Sequence, residues 1–305
     1  MLTIYLTTHN RPASAMEAII SIQAQTDRRF RLVVSDNSNT DELRHLIGGC
    51  KDLLYIKRPK VLAATDHGNL CLSEVTTEYF TLFHDDDVMM PNYVAEFWKA
   101  QTLFPRAIAF GANARVELHK VFVGLSFNAT RSYVGPISPD NLLRRYFSHH
   151  QLGIAPLPSY IYKKDGLQNL HFNVSGGKYA DVQWLSNWAA LGSIIWITEP
   201  IMVYRLHGNN DGNFESIHDR LKFLAYLKNS HNVFSPEILS DYRFFLYKKL
   251  VHRLRMKNHS NTHHLLSKFI AAHRYQRLFR LSFYQALINK AFTKLYLRFN
   301  EGLSR

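Results

Sequence analysis

From Leu2 to Asp87, apolar runs alternate with amphipathic stretches and polar turns. "LTIYLTTHN" is an apolar run ending in small polar residues, and "PASAMEAIISIQAQT" follows with Met16, Ile19, Ile20 and Ile22 on one helical face and Pro12 at its start. "RFRLVVSDNSNTD" predicts a second strand and a turn-rich loop, "DELRHLIGGC" a short helix closed by glycine, and "DLLYIKRP" a third strand. "ATDHGNLCLSEVT" predicts a helix and "EYFTLFHDDD" a fourth strand. Strands spaced by helices in this way predict parallel βαβ units, whose ligands bind at the carboxyl ends of the strands. Three polar clusters fall at such ends: "TTHNR", "SDNSNTD" and "HDDD".

Beyond Tyr93 the alternation loosens. "IAFGANARVEL" and "GSIIWITEPIMVYR" predict strands around an irregular middle, the second interrupted by Glu199 and Pro200. From about Phe214 the pattern is helical throughout, as in "HDRLKFLAYLKNS", "DYRFFLYKKLVHRLRMK" and "FYQALINKAFTKLYLRF". The expected division is a catalytic domain over 1–213, with a ligand-binding half at 1–112 and a second half at 113–213, then a helical region at 214–305.

Charge sharpens that boundary. Asp219 to Arg305 hold 17 Lys/Arg against four Asp/Glu, which accounts for the whole formal net charge of +13 of the 305-residue chain. A neutral domain is thus followed by a basic module suited to an anionic surface. No run reaches the ~20 apolar residues of a membrane span, and "MLTIYLTTHNRP" reads as a first strand rather than a leader. The two cysteines, Cys50 and Cys71, have neither disulfide nor metal spacing and read as plain thiols of a reducing compartment.

Asp85, Asp86 and Asp87 raise the chemical question. Carboxylates 4 Å apart repel by about 4 kcal/mol near a protein surface, so a cation is expected among them. An acidic loop at a strand end can hold a hard divalent ion together with substrate phosphates; a solvated acidic turn before Pro91 is the plainer alternative. Asp36 in "SDNSNTD" can accept a hydrogen bond from the imide N–H of uracil or make an Asx turn. Arg58 and Lys60 in "KRPK" are within reach of a phosphate but read better as a solvated strand end. The pairs His149–His150 and His263–His264 lack an acid or cysteine at ligand spacing and read as surface histidines.

Taken in order, "IYLTTHNRP", "LVVSDNSNTD" and "EYFTLFHDDDVMMP" resemble the nucleotide-binding half of the family 2 glycosyltransferases of the GT-A fold. Members read like P-T-Y-N-R, V-D-D-G-S-x-D and a D-x-D loop followed by proline. The resemblance spans about residues 1–112 and resumes at "GGKYADVQWLSNWAALGSIIWITEPIMVYRLHGNN". Thr7, Ser35 and His84 depart from the pattern, standing for a proline and two acids. The resemblance implies a Rossmann-like mixed sheet flanked by helices. It sets Thr8, His9 and Arg11 along base and ribose, Asp36 on the uracil, Asp85 on the ribose, and Asp86 and Asp87 on diphosphate and metal. Asp181 becomes the general base of an inverting transfer, or otherwise a helix cap, with Gly176–Gly177 permitting a mobile loop beside it. Arg205 and His207 fall on diphosphate or metal.

The function so implied is transfer of a sugar from a UDP-sugar, with Mn2+ or Mg2+, to a lipid-linked saccharide acceptor in surface polysaccharide (capsule or O-antigen) synthesis. The location implied is cytoplasmic, peripheral on the anionic inner face of the cell membrane. Two other readings stand beside it. A nucleotidyltransferase would release pyrophosphate instead of UDP. A nucleic-acid-binding protein would use the basic tail, but the tail's aromatics recur with Leu and Ile as a packed or membrane-facing surface does, and no nucleic-acid motif is present.

Overall fold

The structure is a computed structural model that describes residues 1–147, 153–167, 170–207, 216–230, 232–243 and 245–246. Four strands, β1 (Leu2–Thr8), β2 (Phe30–Asp36), β3 (Leu53–Lys57) and β4 (Tyr79–His84), lie parallel in the order β3-β2-β1-β4. They are joined by α1 (Pro12–Gln23), α2 (Glu42–Leu46) with a 3-10 turn at Ile47–Gly49, and α3 (Ala64–Ser73). β1 is buried along nearly its whole length because neighbouring strands cover both edges and helices both faces, which is why it reads as a continuous apolar run.

The sheet continues through β9 (Ile161–Lys163), β6 (Ala109–Leu118), β10 (Ile194–Leu206) and β5 (Val88–Met89), with β7 (Val121–Leu125) added to β6 and β8 (Tyr133–Val134) to β10. β9 is antiparallel to β4 and β6, whereas β10 runs parallel to β6, so the sheet is mixed, as expected. Glu199 and Pro200 do not end the last strand: β10 absorbs them in two register shifts and runs on to Leu206. The loosened region after Tyr93 contains a helix, α4 (Tyr93–Leu103), whose Tyr93, Val94, Phe97 and Ala100 form a buried stripe. α5 (Pro139–Tyr146) follows, with Ser138 capping Asn141 N–H, and α6 (Ala180–Leu191) comes after a 3-10 segment at Val174–Tyr179.

One core cluster joins Leu2, Ile4 and Leu6 to residues of α1 and α4, and the other joins Tyr5, Val33 and Phe80 to Trp184 and Trp188 of α6. A third ties the beginning of the basic region to the domain. α7 (Ile217–Asn229) starts in a capping box between Ser216 and Asp219, and its Phe223, Leu224 and Leu227 pack with Leu143, Phe147, Tyr179 and Val182. Residues 236–243 are helical and join the same cluster through Ile238 and Tyr242, as does Phe245. The described start of the basic region is therefore packed on the domain. His149–His150, His263–His264 and everything after Leu246 lie outside the described residues. No helix among the described residues is long and apolar enough to cross a membrane.

Candidate functional site

Strand register assembles the three polar clusters. Thr8 lies beside Asp36, Asp36 beside Lys57, and Thr7 beside His84. The chain then leaves β4 into Asp85–Asp87, so loops from β1, β2 and β4 open at one edge of the sheet, as the parallel pattern requires.

The cations that offset the acidic triplet come first from the protein itself. One terminal nitrogen of Arg11 donates to Asp86 Oδ2 at 2.7 Å and to Asp85 Oδ1 at 3.3 Å. His207 Nε2 lies 2.9 Å from the same Asp86 oxygen. Asp85 Oδ2 accepts the His9 N–H at 3.3 Å, and Thr8 is buried beside it. The His9 ring meets Asn37 O at 2.9 Å. Arg11, expected along base and ribose, is held on these carboxylates.

The three acids differ in environment. Burial raises Asp85 above the ordinary carboxylate range, helped by the charge of Asp86. Burial also acts upward on Asp86, yet His84, His207 and Arg11 together hold it below that range. Asp87 is the deepest, 1% exposed; burial and then Asp86 push its carboxyl well above the usual range. Its Oδ1 accepts the Arg205 backbone N–H at 3.0 Å, while its Oδ2 is buried and has no hydrogen-bond partner. An orphaned carboxylate oxygen in a native site calls for a ligand. His84, Asp86 and Asp87 place one ligand atom each within 4.8 Å of one another, a nitrogen and two oxygens that suit a divalent ion such as Mn2+. His84 belongs to this set although the sequence reading assigned it no role. Its position at the end of β4, two residues before Asp86, is the signal that was there to use.

Asp36 is at the bottom of the neighbouring loop and fully buried. Its Oδ1 accepts the Ser38 N–H at 2.8 Å, and its Oδ2 accepts from Tyr55 Oη at 2.7 Å and Lys57 Nζ at 3.4 Å. Burial works against ionisation, but the donors from Ser38, Tyr55 and Lys57 keep the carboxyl below its ordinary range. Direct contact with a base imide would require one of these donors to give way. Tyr55 and Lys57 were not singled out from the sequence; the parallel register of β2 and β3 puts them there.

Arg58 corrects an expectation. It is buried, 6% exposed, rather than a solvated strand end. Its guanidinium grips Glu74 at 2.6 and 2.7 Å, and its Nε–H donates to Ser35 Oγ at 2.8 Å. The Cys71 thiol also donates to Ser35 Oγ, at 3.4 Å, so the Ser35 hydroxyl hydrogen goes to His67 Nε2, 2.6 Å away. Burial, then the positive Arg58, pushes His67 down to about 4. Ser35, next to Asp36 in the chain, thus anchors a buried polar network of its own. Lys60 remains exposed.

Asp181 occupies the first turn of α6, where its Oδ1 accepts the Val182 N–H at 2.7 Å; the N-cap position itself belongs to Tyr179. The preceding Gly177 takes φ +64, and a β-carbon there would lie 3.1 Å from Asp219 Oδ1, so this turn is covered by the start of α7. Asn69 of α3 holds the backbone of Phe172 on both sides, by its Oδ1 at 2.7 Å and its Nδ2 at 3.0 Å. Arg205 directs its guanidinium to Glu17 at 2.5 Å. Thr8, His9, Arg11, Asp85, Asp86, Asp87, Arg205 and His207 therefore form one connected site, with Asp36 beside it, whereas Asp181 contacts its own helix.

The model of the family described as "Glycosyl transferase family 2" matches residues 3–177 of this chain. No curated protein matches it. Among solved structures, S. aureus TarS residues 1–349 in complex with UDP-GlcNAc is similar, with a TM-score of 0.60 at 13% identity over 83% of this chain and 72% of that one. The mannosyltransferase PcManGT from Pyrobaculum calidifontis, in complex with GDP-Man and Mn2+, gives a TM-score of 0.54 at 17% identity over 97% and 87%. The longer S. aureus TarS chain gives 0.53 at 13% identity over 80% of this chain, which spans only 49% of that one. The likeness to these structures is one of fold.

Proposed function

The chain belongs to glycosyl transferase family 2, and on that premise we propose that it transfers a sugar from a UDP-sugar to a hydroxyl of a saccharide acceptor, with inversion at the anomeric carbon. The observation that carries this reading is the strand-end acid cluster, where the buried Asp87 Oδ2, without a hydrogen-bond partner, stands with His84 and Asp86 as a group of potential metal-ligand atoms within 4.8 Å of one another. Mn2+ or Mg2+ fits the donors: Asp86, Asp87 and His84 would hold it, with His207 alongside. When bound, such an ion neutralises charge on the diphosphate leaving group. The nucleotide bound to S. aureus TarS and the GDP-Man and Mn2+ bound to the mannosyltransferase support a nucleotide-sugar donor here.

The chain's own residues take the remaining work. Thr8, His9 and Asp36 line the nucleoside end, Asp36 acting through the Tyr55 and Lys57 it holds, and Asp85 meets the ribose. Arg11 and Arg205 stand ready to turn toward the phosphates as charge builds there, the point at which positive groups lower a barrier most. In the transfer, the acceptor oxygen forms a bond to the anomeric carbon while the bond from that carbon to the phosphate oxygen breaks. Its electron pair leaves with the diphosphate. Asp181 takes the proton of the acceptor hydroxyl, the role of a general base.

The acceptor we propose is lipid-linked, in surface polysaccharide synthesis at the inner face of the cell membrane, and the basic excess after Asp219 supports it. The test is a donor screen with purified protein and Mn2+ or Mg2+, reading nucleotide release and product. Free UDP with glycosylated acceptor is expected. Pyrophosphate release would replace this reading by nucleotidyl transfer, and no turnover of any nucleotide sugar would refute it.

A further inference from the structure

The hairpin of β6 and β7 is an apolar projection that the catalytic site does not use. It turns through His119 and Lys120, at φ +51 and +65, the backbone of a tight two-residue hairpin turn. β7 pairs only with β6 among the described strands. Its side chains are the wrong ones for water: Val121 is 64% exposed, Phe122 48%, Val123 54% and Leu125 44%, with Leu118 of β6 at 42%. Leu118 and Val121 are paired on one face and Phe122 is paired with Glu117 on the other, with Val123 the extra residue of a bulge, so exposed apolar side chains lie on both faces of the ribbon. Monomeric proteins rarely leave such a contiguous patch without a use for it.

Register ties the hairpin to the site. Val116, Glu117 and Leu118 of β6 lie beside Tyr204, Arg205 and Leu206 of β10, and the next residue, His207, meets Asp86. Basic groups border the apolar ones: Arg115 stacks on Phe122 at 4.7 Å, while His119 and Lys120 form the tip. Arg115 and Lys120 outweigh the single acid of the ribbon, Glu117.

We propose that this hairpin lies in the headgroup region of an anionic lipid bilayer and holds the catalytic edge of the sheet against the membrane. Deepening the membrane reading above, on which it rests, the proposal assigns the contact to Leu118, Val121, Phe122, Val123 and Leu125. A second copy pairing with the edge of β7 that no described strand covers would satisfy its backbone but leave the apolar side chains of both faces in water. A protein packed on one face would leave the other. A lipid interface wets both, supplies water to the edge backbone, and places phosphates at Lys120 and Arg115. An acceptor anchored in that bilayer would then present its sugar end beside Asp86.

The test uses the full chain and vesicles of equal parts phosphatidylglycerol and phosphatidylcholine. Serine at Val121, Phe122 and Val123 together is expected to weaken co-sedimentation by at least about tenfold, since each loses several methyl or ring carbons from the lipid contact, with donor hydrolysis in solution unchanged. Phe122→Trp, a conservative change at an exposed position, is expected to be quenched by bromine-labelled lipid. Binding of the parent with equal binding of the serine variant and no quenching overturns the hairpin proposal alone. Failure of the parent to bind these vesicles overturns the membrane reading as a whole. Conversion of a dimer to a monomer by the serine substitutions, with vesicle binding intact, overturns the proposal in favour of pairing between copies.

Discussion

Replacing His67 by glutamine should remove a specific pH dependence of stability. His67 is 4% exposed, and its Nε2 accepts the Ser35 hydroxyl hydrogen because Arg58 and Cys71 already donate to that oxygen. Burial, then the positive charge of Arg58, opposes protonation of His67, with Asp36 and Glu74 only partly compensating. The imidazole therefore falls from an ordinary 6.5 to about 4 in the folded protein. For a group lowered by folding, the unfolded chain binds the proton first, so its contribution is complete above about pH 6.5 and is lost as pH falls toward 4. One pKa unit corresponds to about 1.4 kcal/mol, so between pH 7.5 and 4.5 the parent should lose about 2 to 3 kcal/mol that His67→Gln does not. Glutamine keeps a carbonyl that can accept from Ser35, so the variant should fold, with a lower but flatter profile. Urea denaturation of both proteins at several pH values, compared as differences, cancels the carboxylates common to both. Parallel profiles across this window would refute the neutral buried imidazole, and so would a His67 NMR titration near 6.5 in the folded protein.

Asp87→Asn should keep the Arg205 contact but weaken Mn2+ binding, read by electron paramagnetic resonance of free Mn2+, and should cut metal-dependent transfer by about a hundredfold or more; unchanged Mn2+ affinity in this variant and in Asp86→Ala would remove the cation from the acid cluster. Asp181→Asn should fold and bind UDP like the parent while losing about 10² to 10⁴ in turnover, and near-normal turnover on the acceptor would leave Asp181 a helix-end residue only. Charge reversal at Lys248, Lys249, Arg253 and Arg255 should weaken binding to anionic vesicles at low salt by about 1 kcal/mol per residue near the surface; binding equal to the parent's would exclude these side chains as membrane contacts.

Periodicity alone determined the alternating strands and helices of the first half and, with them, the convergence of "TTHNR", "SDNSNTD" and "HDDD". Parallel neighbouring strands must bring their carboxyl ends to one edge, so this followed without knowledge of any side-chain contact. The charge division was equally plain, because it is a count along the chain. Short or interrupted elements were harder. β9 has three residues, α4 shows its apolar stripe over only a few turns, and β10 survives Glu199–Pro200 because β6 holds it on both sides of the bulge.

Only the tertiary structure decided which partner each charge has. Three adjacent aspartates are equivalent as letters, yet Asp85 and Asp86 take Arg11 from β1's loop and Asp87 turns inward beneath Arg205 of β10. The same holds for Arg58, whose position at a strand end suggested solvent and whose guanidinium instead closes on Glu74 of the segment after α3. Membership of a loop is a local property, set by where strands stop. Burial and ionisation are set by groups from distant parts of the chain, and their geometry comes into being when the sheet register and helix packing are complete.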